Sequence, residues 1–260
     1  MNEKLKYFIA EREKIRKLKE NDAPKPWSDD PVFQTVYFCN VHREDDKTTK
    51  WIRKNYSSWV THSLFLPNIM MARLVNRVES LEALQYFPRD FYEEWFREIA
   101  TTRQPFWGGA YVVTTHGRPM SKLDYACEIL GEAFKYPPDL SNATTLRAAW
   151  EILQGYEGFA SFMSAQVVAD LKNTEGHPLE LAPDWYSFSA PGPGSLRGLS
   201  WYFDKKITPP QYQEAILQAS KDIGWGHCMQ DLQNVFCEFD KYCRVEAGTG
   251  RSKRKYHGQA

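Results

Sequence analysis

The stretch Tyr37-Phe-Cys-Asn-Val-His-Arg-Glu-Asp-Asp-Lys-Thr-Thr-Lys-Trp51 governs how this chain is read. Apolar Val36, Phe38 and Val41 give way to a dense polar run of Asn40, His42, Arg43, Glu44, Asp45, Asp46 and Lys47. Asn40, Arg43 and Lys47 recur at spacings of three and four, the spacing of one helical face. The expectation is two helices, over 31–40 and 43–56. They would carry an amide, a guanidinium and an ammonium in one stripe, a set able to meet a base edge and hold an anion. The competing reading is a solvated face stapled by Arg/Glu and Arg/Asp pairs, and spacing alone leaves both open.

Working outward, helical periodicity dominates. Residues 1–21 are rich in Lys, Glu and Arg, with Leu5, Phe8, Ile9, Ile15 and Leu18 as an apolar stripe. They read as a surface helix that Pro24 and Pro26 end. Ser28-Asp29-Asp30-Pro31 is a helix start, with an acidic cap and a proline in the first turn. Further helices are expected over 67–79, 89–101, 122–134, 144–154, 158–173, 195–203, 210–223 and 228–247. Tyr111-Val-Val-Thr-Thr115 differs. It is β-branched and aromatic and lies between Gly109 and Gly117, which suggests a small hairpin near 108–118. The expected fold is mostly α with that small β-hairpin. The expected organisation is a surface helix over 1–24, a helical domain over 25–247 and a basic, Gly-rich flexible tail over 248–260.

With 260 residues, 42% hydrophobic and 15% aromatic, the chain has ample material for a core, and disorder is excluded for most of its length. Lys+Arg and Asp+Glu both number 33, so the formal net charge is zero. That argues against general attraction to phosphate but leaves room for a local basic groove. The cysteines, at 39, 127, 228, 237 and 243, form no CxxC pair and close no tetrahedral set, so no metal is expected. Unpaired thiols fit a reducing cytoplasm. The charged start offers no apolar signal core, and no run reaches the roughly 18 apolar residues of a membrane span.

Three constellations can carry chemistry. Ala190-Pro-Gly-Pro-Gly-Ser-Leu-Arg-Gly198 is a Gly/Pro turn running into a helix. Its glycines allow backbone amides to approach a ligand, and the helix N-terminus is positive. Gly192, Gly194 and Ser195 are therefore candidate phosphate contacts, with Arg197 adding a charged fork. The plain alternative is a helix-to-helix turn. No GxxxxGK[ST] occurs, which argues against a nucleotide kinase. Residues 236–244 put Cys237, Asp240, Lys241 and Arg244 on one helical side, with Asp240 and Lys241 as proton-transfer or phosphate-clamping groups. Cys237 becomes a thiolate if a cation lowers its pKa; the alternative is a core thiol beside a structural charge network. Gln166 and Asp170 stand four apart on an otherwise apolar helix, either lining a pocket or bonding a neighbouring backbone. Tyr111 and His116, beside the glycines, are further pocket candidates.

Taken together, these segments resemble the phage DNA base-hypermodification proteins named α-glutamyl/putrescinyl-thymine pyrophosphorylases, also viewed as amino acid:DNA transferases, whose helical domain also accompanies 5-hydroxymethyluracil DNA kinases. The resemblance rests on Pro26-Trp-Ser-Asp-Asp-Pro31, Phe38-Cys-Asn-Val-His-Arg-Glu44 with Asp46, and Gly109-Ala-Tyr-Val113. It continues through 159–171, Pro191-Gly-Pro-Gly-Ser-Leu-Arg-Gly-Leu199 and Cys237-Glu-Phe-Asp-Lys-Tyr242. The blocks span about 25–256. His42 stands where the family pattern has an aromatic, and Ser200-Trp201 where it has Asn-Arg.

The resemblance implies a helix–hairpin–helix, DNA-glycosylase-like helical fold. It implies a transferase that attaches an amino acid or amine to a 5-hydroxymethylpyrimidine, or its phosphorylated form, in double-stranded phage DNA. Such chemistry requires the base to leave the stack. Asn40 would contact the base edge, with Arg43, Tyr111, Gln166, Asp170, Arg197 and Arg244 as substrate-binding residues. Arg43, Arg197, Lys241 and Arg244 would hold the departing phosphate. Asp240, Glu238 or Asp46 would take the amine proton, Asp240 and Lys241 sharing one pocket with Asn40 and Arg43. Arg251, Lys253 and Arg254 would lie along the duplex with Gly192, Gly194 and Ser195. Three alternatives stand beside this: a glycosyltransferase using a nucleotide-sugar, a non-catalytic DNA-binding module beside a kinase, and a DNA glycosylase. The expected co-substrate is the donor alone, with no metal, no membrane partner, a monomeric state and the cytoplasm of an infected bacterium as location.

Overall fold

The computed structural model describes residues 1–84, 90–109 and 114–250. Twelve α-helices run in chain order among them: α1 Asn2–Glu20, α2 Pro31–Thr35, α3 Lys47–Tyr56, α4 Phe65–Val75, α5 Val78–Leu84, α6 Glu93–Thr102, α7 Lys122–Lys135, α8 Leu146–Leu153, α9 Ser161–Lys172, α10 Pro193–Phe203, α11 Tyr212–Ile223 and α12 Met229–Glu246. No strand occurs among the described residues, and the centre of the expected hairpin, 110–113 with Tyr111, lies outside them. Basic residues Arg251, Lys253 and Arg254 also lie outside. No described helix is long and apolar enough to cross a membrane.

The chain divides into two compact units: Met1–Asp46 with the chain from Trp185 onward, and Lys47–Asp184. In the first unit, the apolar stripe of α1 packs into the core. Its Leu5 and Phe8 are buried with Phe33, Phe38, Phe236 and Phe239. Phe8 meets the rings of Phe33 at 5.5 Å and Phe38 at 5.4 Å, offset and edge-on contacts that fix ring orientation as well as burying area. Asp30 ties the ends together. Its Oδ1 accepts from Val32 N at 2.7 Å as the cap of α2, with Pro31 behind it, and its Oδ2 accepts from Tyr242 Oη at 2.8 Å.

The helix expected over 31–40 stops at Thr35. Beyond it the backbone is extended, and the helix expected over 43–56 splits into a 3-10 turn, Arg43–Asp45, and α3. The cause is competition for backbone groups. Between 37 and 43 they bond to side chains of α1 and α12, as described below, and are unavailable for helical bonds.

In the second unit, α4 is buried along its whole length and packs on α7 and α9. Asp170 does not line a pocket. It is fully buried and accepts from Thr49 Oγ1 at 2.9 Å and from Arg73, which is itself fully buried and bonds Thr49 as well. An ionised carboxylate without water needs such partners, which explains a polar residue on that apolar helix. Gln166, one turn earlier, is also buried.

Candidate phosphate and base site on the two faces of α12

The site is built around α12, whose polar residues serve two neighbours. One face holds the extended segment. Lys241 Nζ donates to Tyr37 O at 3.1 Å, Glu238 Oε2 accepts from Cys39 N at 2.9 Å, and Asn234 Nδ2 donates to Asn40 O at 2.8 Å. Asp231 Oδ1 accepts from Arg43 N at 3.0 Å, while its Oδ2 lies 3.2 Å from His42 Nδ1. The helix positions fall by three, four and three as the segment advances, so the two run antiparallel. Roughly 15 Å of helix is matched to a segment that can reach about 20 Å. From the other side, Arg12 Nε donates to Cys39 O at 2.9 Å. This zipper is the structure's correction to the expected Asn40/Arg43/Lys47 stripe. Asn40 sits on no helix, and its amide is occupied, accepting from Arg12 and donating to Asp45 O at 2.8 Å. Arg43 is buried in the 3-10 turn, and Asp46 closes that turn by donating its backbone N to Arg43 O.

The neighbouring face of α12 receives α10. A side chain at Gly198 would drive its Cβ into the Phe236 carbonyl oxygen, and one at Gly194 into Cys237 Sγ. Gly194 and Gly198 thus permit the close approach of α10 to α12. Ser195 is likewise occupied. Its hydroxyl donates to Gly192 O at 3.0 Å and accepts from Gly192 N at 3.1 Å, closing the cap of α10.

Asp240, almost wholly buried, points to this side. It accepts from Arg197 Nε at 3.0 Å, Arg244 Nε at 3.1 Å and Trp201 Nε1 at 3.3 Å. Two guanidiniums against one carboxylate leave one net positive charge. The Arg197 side chain is 54% exposed, so its outer N–H groups face solvent near the positive end of α10. Lys241 is turned away from Asp240. It pairs with Glu238 Oε2 at 2.6 Å and lies 5.2 Å from the Phe38 ring centre. Asp240 is therefore separated from Asn40 and Arg43, forming one group with Arg197 and Arg244, whereas Lys241 and Glu238 lie with the extended segment.

Between the two faces runs a stripe of Gln230, Asn234, Cys237 and Lys241 by helical register. Burial pushes the Cys237 thiol up to about 11, with Glu238 adding to it, so it is a protonated thiol at neutral pH. Gln230 is 4% exposed, yet both its Nε2 and Oε1 lack a hydrogen-bond partner among the described residues. Sequence reading missed it, along with Asp231 and Asn234. The polar recurrence 231/234/238/241 on an apolar helix was the signal that would have found the last two. His42 is a further addition. Its ring lies 4.6 Å from that of His227 and 6.1 Å from Trp225, and its pKa is raised by the hydrogen bond to Asp231 against the opposing effect of burial. Described His116 packs 6.0 Å from the Tyr125 ring in the second unit.

A family model described as the helical domain of 5-hmdU DNA kinase matches residues 1–252. Among curated proteins, a 5-hmdU DNA kinase of Bacillus phage SP10 is 27% identical over 230 residues, covering 76% of this chain and 36% of that protein. The chain thus spans about a third of the length of that relative. No solved structure matches the chain.

Proposed function

The chain belongs to the family of 5-hmdU DNA kinase helical domains, and from that premise we propose that it acts on a 5-hydroxymethylpyrimidine, or its phosphorylated form, in phage DNA. In this reading it is a transferase that joins an amino acid or amine to the 5-methylene carbon. The observation that carries it is the Arg197–Asp240–Arg244 group beside the N-terminus of α10. A carboxylate that orients two guanidiniums suits a departing phosphate, because the cations are positioned before charge develops. Asp240 is then a positioning group and not the proton acceptor, since its oxygens already hold three donors.

In the transfer step, the amine lone pair forms a C–N bond at the methylene carbon, the C–O bond to phosphate breaks, and the phosphate leaves toward Arg197. The amine proton passes to water. Gln230 offers a donor and an acceptor to the complementary edge of an extruded pyrimidine, and leaving both unmet in a buried site is costly. A glycosylase-like cradle that lets the base leave its stack completes the reading.

A second reading has its own support. Lys241 and Asp240 are both committed to ion pairs, and the chain corresponds to about a third of a kinase. On that reading the domain holds DNA for catalysis elsewhere. The test is to incubate the chain with duplexes containing 5-hydroxymethyluracil or its phosphate and candidate amines, digest to nucleosides and read masses. A nucleoside heavier by the amine supports transfer. Unchanged nucleosides with intact DNA binding support the holding role.

A further inference from the structure

Helix α3 lies wholly in the second unit and is sharply two-sided. Thr48, Thr49, Trp51, Ile52 and Tyr56 are buried, whereas Lys47, Lys50, Arg53 and Lys54 are exposed on the opposite stripe. Lys50, Arg53, Lys54 and Ser57 line a hollow of about 330 Å³, with Glu175 as its one carboxylate. Several arginines elsewhere on this electrically neutral chain are matched. Arg16 pairs with Glu13 and Glu20, Arg97 with Glu93 and Asp124, and Arg118 with Glu128 and Glu157. Lys47, Arg53 and Lys54 have no ion-pair partner among the described residues. Like charges three and four apart on a helix repel, so folding alone gives no reason to gather them.

We propose that this face of α3 is a second DNA contact, a footing for the phosphates of one strand. This footing depends on the DNA-binding reading above, but on none of the residues used there. Charge complementarity and spacing favour a phosphate chain. Lys47, Lys50 and Lys54 rise about 4.5 and then about 6 Å along the helix, so the stripe is long enough to meet more than one phosphate of a strand that carries one charge per about 3.4 Å of duplex axis. The open hollow admits a phosphodiester group to Arg53, whose planar fork matches two phosphate oxygens, with the lysines on either side and Ser57 Oγ near by.

The test is a triple variant, K50Q/R53Q/K54Q, whose exposed side chains leave the buried face untouched. Duplex affinity is measured for wild type and variant across a salt series, with inorganic pyrophosphate and polyglutamate as parallel probes. The expected result is a log-affinity against log-salt slope shallower by about 2 to 3, roughly 0.9 for each phosphate that is no longer neutralised, with unfolding temperature unchanged. Pyrophosphate bound by wild type and not by the variant, with an unchanged duplex slope, would show a free-phosphate site and overturn the proposal. Loss confined to polyglutamate would show an acidic protein partner and overturn it likewise. A wild type that binds DNA with the variant's slope defeats the α3 assignment alone; a wild type that binds no DNA defeats the underlying reading with it.

Discussion

Asp231 and Asp240 lie on the same helix and meet different demands. Asp240 is saturated by two arginines and a tryptophan, whereas Asp231 divides its oxygens between the Arg43 amide and the His42 ring. The first geometry fixes cations; the second couples a titrating group to the zipper. His42 has its pKa raised in the folded chain, chiefly by Asp231. Its contribution to stability is therefore fully present below the unfolded value of about 6.5 and is lost as pH rises through the folded pKa. Denaturant unfolding of wild type and His42→Gln at a series of pH values from 6 upward checks this. Wild type should lose more stability than the variant as pH rises; identical pH dependence would leave His42 without that role. His177, pushed down to about 4 by burial, acts with the opposite sign, but it is common to both proteins and cancels in the comparison.

At the scale of elements, the buried Arg73–Asp170–Thr49 group holds α3, α4 and α9 together. Removing one partner strands a buried charge. Arg73→Met should therefore cost about 3–5 kcal/mol of unfolding free energy, whereas Arg73→Met with Asp170→Leu should recover most of it. Equal losses in the single and double variants would show that packing, rather than charge pairing, governs the site. Periodicity makes most of these helices legible: 122–134 is expected where α7 spans Lys122–Lys135, and 228–247 where α12 spans Met229–Glu246. Asp30-Pro31 announces α2 correctly, because a cap is a local interaction. The stop at Thr35 is not legible, since it depends on Asp231, Asn234, Glu238 and Lys241 far along the chain. For the same reason Asp170 reads equally well as a pocket residue or a bonded one; nothing near it in sequence names Arg73.

At the scale of the whole molecule, the first unit is assembled from both ends of the chain, with the zipper joining them. The sequence marks both halves as unusual, polar groups beside Phe38 and beside Phe236 and Phe239, and the segments do meet. What it could not supply is the direction of each side chain around α12, which separates Asp240 from Lys241 and gives Arg197 its role. Zero net charge similarly conceals how unevenly cations are paired, because composition carries no positions. The central claim is recognition of a 5-substituted pyrimidine in DNA. Its most direct test is the affinity of the purified chain for three duplexes identical except at one position, which holds thymine, 5-hydroxymethyluracil or the 5-phosphomethyl base. One added charge-assisted hydrogen bond to Arg197 predicts about tenfold tighter binding to the phosphorylated duplex than to the thymine duplex, with the hydroxymethyl duplex between them; equal affinity for all three would contradict the account.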